Sequence, residues 1–265
     1  MSIAVSVIIP SYNNSKFLKQ AVDSVLMQRA PRVMGVPFDE ENPDWLEVIV
    51  VNDNSPADED AVMAEYAEDE RVLYIKNGEN LGVAESRNVG VSASSGEYVA
   101  FLDADDFWEQ GKLMAQLELL WELEGFDEFP PMICAGRQLC DENGEPTGKE
   151  IGVPDIITYD MLLKTNYIPC GTVLMPKEIA LEFPMTNDDL HEDYICWLNI
   201  TKEYGPAVGI NIPYLNCRLS EGGRSRNKLK SAGMQYGVYK HMGIGPVKRL
   251  LYMASYTVNG FKKYK

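Results

Sequence analysis

The sequence predicts an α/β protein, with a mainly parallel central sheet flanked by helices and a basic C-terminal helical extension. Short β-branched runs alternate with segments of helical apolar spacing through the first half of the chain. Such alternation implies right-handed crossovers and parallel strands. Polar and acidic residues collect where the runs end, which is where open parallel sheets take their ligands.

The elements follow in order. Val5-Ser6-Val7-Ile8-Ile9 reads as a strand stopped at Pro10, and Lys16 to Gln28 as a helix with Phe17, Leu18, Ala21, Val22, Val25 and Leu26 on its apolar face. Arg29 to Trp45 contains three prolines, a glycine and an acidic cluster, and is expected to be an irregular connection. Strands return at Leu46 to Val51, Val72 to Ile75 and Tyr98 to Leu102, separated by helices over Ala61 to Tyr66 and from Gly82 onward. Beyond Trp108 the spacing predicts a helix through Leu113, Leu117, Leu120 and Trp121, a strand near Met132 to Ala135 and a hairpin turn at Asp141 to Glu145. Short helices at Tyr159 to Leu163 and Lys177 to Leu181 should flank a strand at Thr172 to Met175, before a longer helix from Glu192 to Tyr204.

A length of 265 residues suits one α/β domain over about residues 1–221 with an appended element over 222–265. That domain should divide into two parts, about residues 1–110 and about 111–221. No apolar run approaches the roughly 20 residues that cross a bilayer, and no basic region opens the chain, so a cytoplasmic location is expected. Five cysteines without a C-x-x-C pair fit buried thiols in a reducing compartment.

The formal net charge of -16 argues against nucleic acid as a partner, since phosphate-backbone binding draws on Lys and Arg. Beyond Glu221 the chain has no acid and ten cations, leaving 14 cations against 40 acids in the first 221 residues. Those cations are interleaved with Tyr236, Tyr239, Leu250, Leu251, Tyr252, Tyr256 and Phe261. Such a segment suits an anionic membrane surface, making the protein peripheral there; it suits equally well the acidic body of its own chain.

The chemistry concentrates in Asp103-Ala104-Asp105-Asp106, which follows the apolar strand ending at Leu102 with no basic neighbour inside the motif. Carboxylates so close repel, and a hard divalent cation, Mn²⁺ or Mg²⁺, resolves that repulsion with one or two carboxylates plus phosphate oxygens. Asp103 and Asp105 flank a tight turn and can share a ligand, whereas Asp106 is expected to cap a helix starting near Phe107. Asp53, at the end of another strand, can accept from a base N–H or serve a turn. Arg87 lies about one turn inside the helix that Gly82 opens, where it could reach a phosphate, pin Asp103 or face solvent.

Taken in order, Val7 to Asn13, Val50 to Ser55, Asn80 to Asn88 and Phe101 to Asp106 resemble the inverting family-2 glycosyltransferases of GT-A fold. The likeness is close over about the first 110 residues and looser to about residue 226. It implies a nucleotide-diphosphate sugar, UDP-linked, bound over the sheet with Pro10, Tyr12 and Asp53 around the base. Asp103 would contact ribose or metal and Asp105 the metal. His191-Glu192-Asp193 looks like the family's helix-opening Glu-Asp pair, which would make Asp193 the catalytic base. Tyr214 to Arg218, with Arg224 and Arg226, is similar to a loop that supplies a phosphate-binding arginine, here Arg218 first. The chain departs from the family at Asn52, where an acid is usual, at the long Arg29 to Trp45 connection, and in a loop histidine it lacks.

The implied reaction is inverting transfer of one sugar to a hydroxyl of a glycan or lipid-linked glycan, in cell-surface polysaccharide synthesis. Two other classes compete: a nucleotide-sugar-binding protein of the same fold without turnover, and a phospho-accepting signalling domain using Asp53. Cys170-Gly171-Thr172 looks like the small-residue segment lining the acceptor side, and Cys170 reads as a buried thiol, not a nucleophile.

Overall fold

The computed structural model describes residues 4–29, 45–123, 129–186, 188–219 and 228–263. Most of the connection expected between Arg29 and Trp45, and the candidate cations Arg224 and Arg226, fall outside them. The first strand, β1 (Val5–Ser11), is buried along its whole length. That requires both of its faces to be covered, which is why its sequence is a continuous apolar run and not an alternating one. Val5, Val7 and Ile9 pack on one side with α1 (Ser15–Leu26) and α4 (Lys112–Leu123). Ile8 packs on the other side with α3 (Val83–Ala93) and α7 (Glu192–Glu203).

β1 lies between β2 (Leu46–Asn52) and β4 (Tyr98–Phe101), parallel to both, and β2 pairs in parallel with β3 (Val72–Lys76). The short helix α2 (Glu59–Met63), continued by a 3-10 turn over Ala64–Tyr66, makes the crossover between β2 and β3. The carboxyl ends of the four strands therefore form one edge, stitched onward by Asp53 N–H donating to Ser11 O (2.9 Å), Asn77 N–H to Asn52 O (2.9 Å) and Leu102 N–H to Ile8 O (3.0 Å).

The second half completes the same sheet. β9 (Leu174–Pro176) runs antiparallel to β4 and to β6 (Ile133–Cys140), and β6 pairs in parallel with β10 (Ala207–Arg218). β5 (Phe107–Trp108) and β8 (Ile156–Ile157) add to β10, and β7 (Pro146–Ile151) to β6, giving ten strands among the described residues. The expected hairpin joins β6 to β7, with Gly144 at φ +87 and the Asp141 carboxylate accepting from the amides of Asn143 and Glu145. Two short helices, α5 (Tyr159–Leu162) and α6 (Lys177–Glu182), and the C-terminal pair α8 (Lys228–His241) and α9 (Pro246–Lys263) complete the chain.

Two expectations change. The segment after Asp106 is not a helix: Phe107 and Trp108 pair with Asn216 and Leu215 of β10, and α4 begins only at Lys112, after Gly111 at φ +89. Burial of Trp108, whose indole N–H donates to Gly171 O (2.7 Å), outweighs any capping preference of Asp106. Cys170–Thr172 is a 3-10 turn, so the strand expected at Thr172 starts at Leu174.

α3 lies so close to β1 that a Cβ on Gly90 would stand 2.4 Å from Ile8 Cγ2, whereas one on Gly233 of α8 would meet nothing within 4 Å. Helix propensity alone favours Ala over Gly by about 1 kcal/mol at both sites. Gly233→Ala is expected to follow propensity. Gly90→Ala should instead destabilise by about 1–3 kcal/mol through overpacking. Urea melts of the two variants check the opposite signs.

Candidate active site

The site occupies the shared strand edge. Two asparagines with positive φ, Asn13 (+59) and Asn54 (+56), turn the chain back after β1 and β2, a conformation Asn tolerates better than most residues. Asn13 N–H donates to Ser55 Oγ (2.8 Å) and Asn14 N–H to the buried Glu59 carboxylate (3.0 Å), which locks the two loops together. Pro10 is buried beneath, and Tyr12 is left 49% exposed.

Asp53 is buried and its carboxylate is engaged. Oδ1 accepts from Leu81 N–H (2.8 Å) and Asn77 Nδ2 (2.9 Å), and Oδ2 accepts from Gly82 N–H (2.9 Å). Asp53 thus folds the Asn80–Gly82 loop onto the strand edge, and an oxygen so occupied is poorly placed to accept a phosphoryl group. Asn52, where an acid is usual, donates through Nδ2 to Tyr74 Oη (2.7 Å) and accepts from Ser55 N–H (2.8 Å). Tyr74 Oη in turn donates to Asp60 (2.8 Å), so its oxygen needs a donor, and a carboxylate at position 52 could not supply one.

Arg87 is 3% exposed, and its guanidinium bridges two chain segments far apart in sequence. Nη2 pairs with Asp103 Oδ1 (2.7 Å) and Nη1 with Glu192 Oε1 (2.9 Å). Of the three readings open in the sequence, pinning Asp103 is the one the geometry supports. Asp103 keeps a side chain 41% exposed, held at one oxygen from below. The loop before α7 reinforces the junction: Asp188 Oδ1 accepts from Ala84 N–H (2.9 Å), and a Cβ on Gly82 would stand 1.8 Å from Asp188 Oδ2. Gly82, at φ +89, must therefore be glycine for conformational and for steric reasons.

Asp105 is half-buried, and burial together with the charge of Asp103 pushes its carboxyl up to about 6. Asp106 is buried and is not a cap; it accepts from Arg218 N–H (2.8 Å), and burial holds its carboxyl well above the usual range. Arg218 lies 6% exposed between Phe17 and Phe107, its guanidinium carbon 4.6 and 5.0 Å from the ring centres. It donates to the Asp105 carbonyl and to Gln20 Oε1, so it braces the acidic turn from behind.

Glu192 and Asp193 open α7, where the helix macrodipole favours acids. Asp193 is half-buried, and burial, with the charge of Glu192 beside it, pushes its carboxyl up to about 7. The Cys170 thiol is buried and pushed well above its ordinary value by that burial, the opposite of an activated nucleophile.

Among the described residues no three His, Cys, Asp or Glu side chains are grouped to hold a metal. The acidic turn nevertheless fits a hard divalent cation of the Mn²⁺ or Mg²⁺ kind, which takes one or two carboxylates and completes its shell with water and substrate phosphate. Asp103 and Asp105 offer that donor set, and Arg87 engages a single oxygen of Asp103.

Two parts of the site were not recognised from the sequence. Glu192 is the second partner of Arg87, and Asp188 is the cap of α3. The requirement that a buried arginine find carboxylates was the available signal for Glu192; nothing local pointed to Asp188.

A parallel strand edge carrying a D-x-D turn, joined through an arginine to an acidic helix start, defines a GT-A nucleotide-sugar transferase. The solved structures agree on the fold. Staphylococcus aureus TarS 1–349 in complex with UDP-GlcNAc superposes at a TM-score of 0.67 with 17% identity, over 96% of this chain and 72% of that one. The Pyrobaculum calidifontis mannosyltransferase PcManGT in complex with GDP-Man and Mn²⁺ gives 0.64 and 18%, over 96% and 69%.

The family model for glycosyl transferase family 2 matches residues 6–127. TuaG of Bacillus subtilis strain 168, named as a teichuronic acid biosynthesis glycosyltransferase, is 34% identical over 266 residues, covering 98% of this chain and 96% of TuaG. The Escherichia coli UDP-Glc:alpha-D-GlcNAc-diphosphoundecaprenol beta-1,3-glucosyltransferase WfgD is 31% identical over 269 residues, covering 98% and 94%. The chain belongs to glycosyl transferase family 2.

The Arg87 junction sets up a direct test. Removing one partner of a buried ion pair leaves an uncompensated charge and costs about 3–5 kcal/mol. Arg87→Met is expected to fall in that range and Glu192→Gln to cost less, because Asp103 still pairs the arginine. In a double-mutant cycle the two losses should be less than additive; strict additivity in chemical denaturation would show that the bridge is not formed.

Proposed function

We propose that this glycosyltransferase moves one sugar, with inversion, from a UDP-sugar to a hydroxyl of a glycan or lipid-linked glycan during cell-surface polysaccharide synthesis, at the cytoplasmic side of the membrane. The observation that carries the reading is the pairing of Arg87 with both Asp103 and Glu192, which ties the donor-side acidic turn to the start of α7, where Asp193 sits. The chemistry needs those two elements side by side: one to hold the diphosphate, the other to take a proton. The names of TuaG and WfgD support the polysaccharide setting, and that of WfgD a UDP-linked donor and a lipid-linked acceptor.

In this reading the base lies against the exposed Tyr12 ring, over Pro10 and beside the loop that Asp53 folds. Asp103 serves ribose or metal, and Asp105 serves metal. A divalent cation bound to these carboxylates would offset the negative charge that the diphosphate gains as it leaves. Arg87 and Arg218 are positioning residues, since both terminal nitrogens of each guanidinium donate to protein atoms. The acceptor oxygen forms its bond to the anomeric carbon as the bond to the diphosphate oxygen breaks, and Asp193 takes the hydroxyl proton. A carboxyl raised to about 7 is near the operating pH, which is where a general base works best.

The raised value fixes signs for experiment. Asp193 must be ionised to act, so transfer should rise with pH through about 7 and then level off. Asp193→Asn should lower kcat by about 100-fold or more, with the pH step lost and UDP binding kept. Because the folded state favours the protonated carboxyl, the stability contributed by Asp193 declines as pH rises through about 7. Asp193→Asn should then melt no lower than wild type at pH 8, and unchanged turnover in this variant would remove it as the base.

Thermal melts with UDP and UDP-sugars, with and without Mn²⁺, test the donor. Ligand at about 100 times its Kd stabilises by roughly 2.7 kcal/mol. The metal-dependent part of that gain should vanish in Asp105→Asn. If no nucleotide shifts the wild-type melt with Mn²⁺ present, the UDP-sugar reading is wrong.

A further inference from the structure

α9 is amphipathic in an unusual direction. Its inner side packs on the protein through Tyr252, whose ring lies 5.8 Å from that of Tyr239 in α8, with Met253 against the core and Asn259 donating to Lys164 O (3.2 Å). Its outer side, toward solvent, carries Val247, Leu250, Leu251 and Val258 at 72, 67, 65 and 53% exposure, with exposed Ala254 between them. These positions follow the i, i+3/i+4, i+7, i+11 spacing of one helix face. A contiguous apolar stripe turned to water marks an interaction surface.

Charge identifies what covers it. Lys248 beside the stripe and Lys240 at the end of α8 are exposed, and the sequence adds Lys262, Lys263 and Lys265, with no acid anywhere after Glu221. Docking of these cations on the acidic body of the same chain would leave the apolar stripe in water. A second copy joined through the same face would bring two cationic segments together. An anionic lipid surface takes both features at once, apolar side chains into the headgroup boundary and cations against lipid phosphate.

We propose that the outer face of α9 docks the protein on an anionic bilayer. The attachment is mechanically close to the candidate base. α8 packs so tightly on the segment before α7 that a Cβ on Gly237 would stand 2.4 Å from Leu190 Cδ2, three residues before Asp193, and Tyr239 Oη donates to Leu163 O (2.7 Å). Docking through α9 therefore holds α8, and with it the segment before the candidate base, close to the lipid that would carry a lipid-linked acceptor. That last link rests on the acceptor reading given above; the docking surface itself does not.

The test is flotation of the full-length chain with phosphatidylglycerol-containing vesicles and with pure phosphatidylcholine vesicles, beside the double variant Leu250→Glu, Leu251→Glu. Wild type should float with the anionic vesicles and be released by high salt, and the variant should partition about tenfold less or weaker. The UDP and Mn²⁺ melting shift should be unchanged in the variant, so loss of docking is separable from loss of the donor site. Equal binding to both vesicle types, or binding that survives the double substitution, overturns the proposal. So does failure to float, whether the protein is then a monomer or a dimer that the substitutions dissociate.

Discussion

The arrangement of the site depends on one buried cation. Arg87 places a fixed positive charge where Asp103 and Glu192 converge, and both distances are those of charge-assisted hydrogen bonds. A buried ion pair contributes little net stability by itself, but an arginine left without carboxylates there would be costly. The first and second halves of the chain must therefore meet at this point: α3 brings the arginine, the strand edge brings Asp103, and α7 brings Glu192 with Asp193 next to it. An acidic helix start and an acidic turn from remote parts of the sequence are held in register by electrostatics as much as by packing.

Around that cation the acids are differentiated by what each one touches. Asp103 has Arg87 beneath it and an exposed side. Among the described residues, no cationic side chain pairs with the carboxylates of Asp105 and Asp106 at such range, and burial raises both. Asp106 satisfies a backbone amide of β10 and Asp53 satisfies two backbone amides of the next loop, so two of the acids most conspicuous in the sequence are largely structural. Asp193, at a helix start and beside Glu192, is left with a carboxyl suited to exchanging a proton near neutrality. Five similar side chains thereby acquire different work from their surroundings.

The sheet supplies the rigidity this requires. β1 is buried on both faces and flanked by parallel neighbours, so the edge where its end meets those of β2, β3 and β4 has little freedom to shift. The antiparallel β10 and β5 pair then closes the acidic turn from the far side, carrying Arg218 and Phe107. The C-terminal helices pack against the segment before α7 and carry an apolar face that the described body of the protein leaves uncovered.

The sequence by itself determined the parallel half of the fold, because buried β-branched runs and helical spacing are local signals. It also determined the D-x-D turn and the Glu-Asp helix start, whose residue types and order carry the family resemblance. Tertiary structure alone decided what those acids do. Asp106 belongs to a strand edge because Phe107 and Trp108 pair with β10, more than 100 residues away. Arg87 is a bridge because Glu192 arrives from the second half, and α9 turns its leucines outward because its tyrosine side meets α8. Partners distant along the chain and neighbours that bury a carboxyl leave no mark in local spacing, so each such role appears only once the chain has closed on itself.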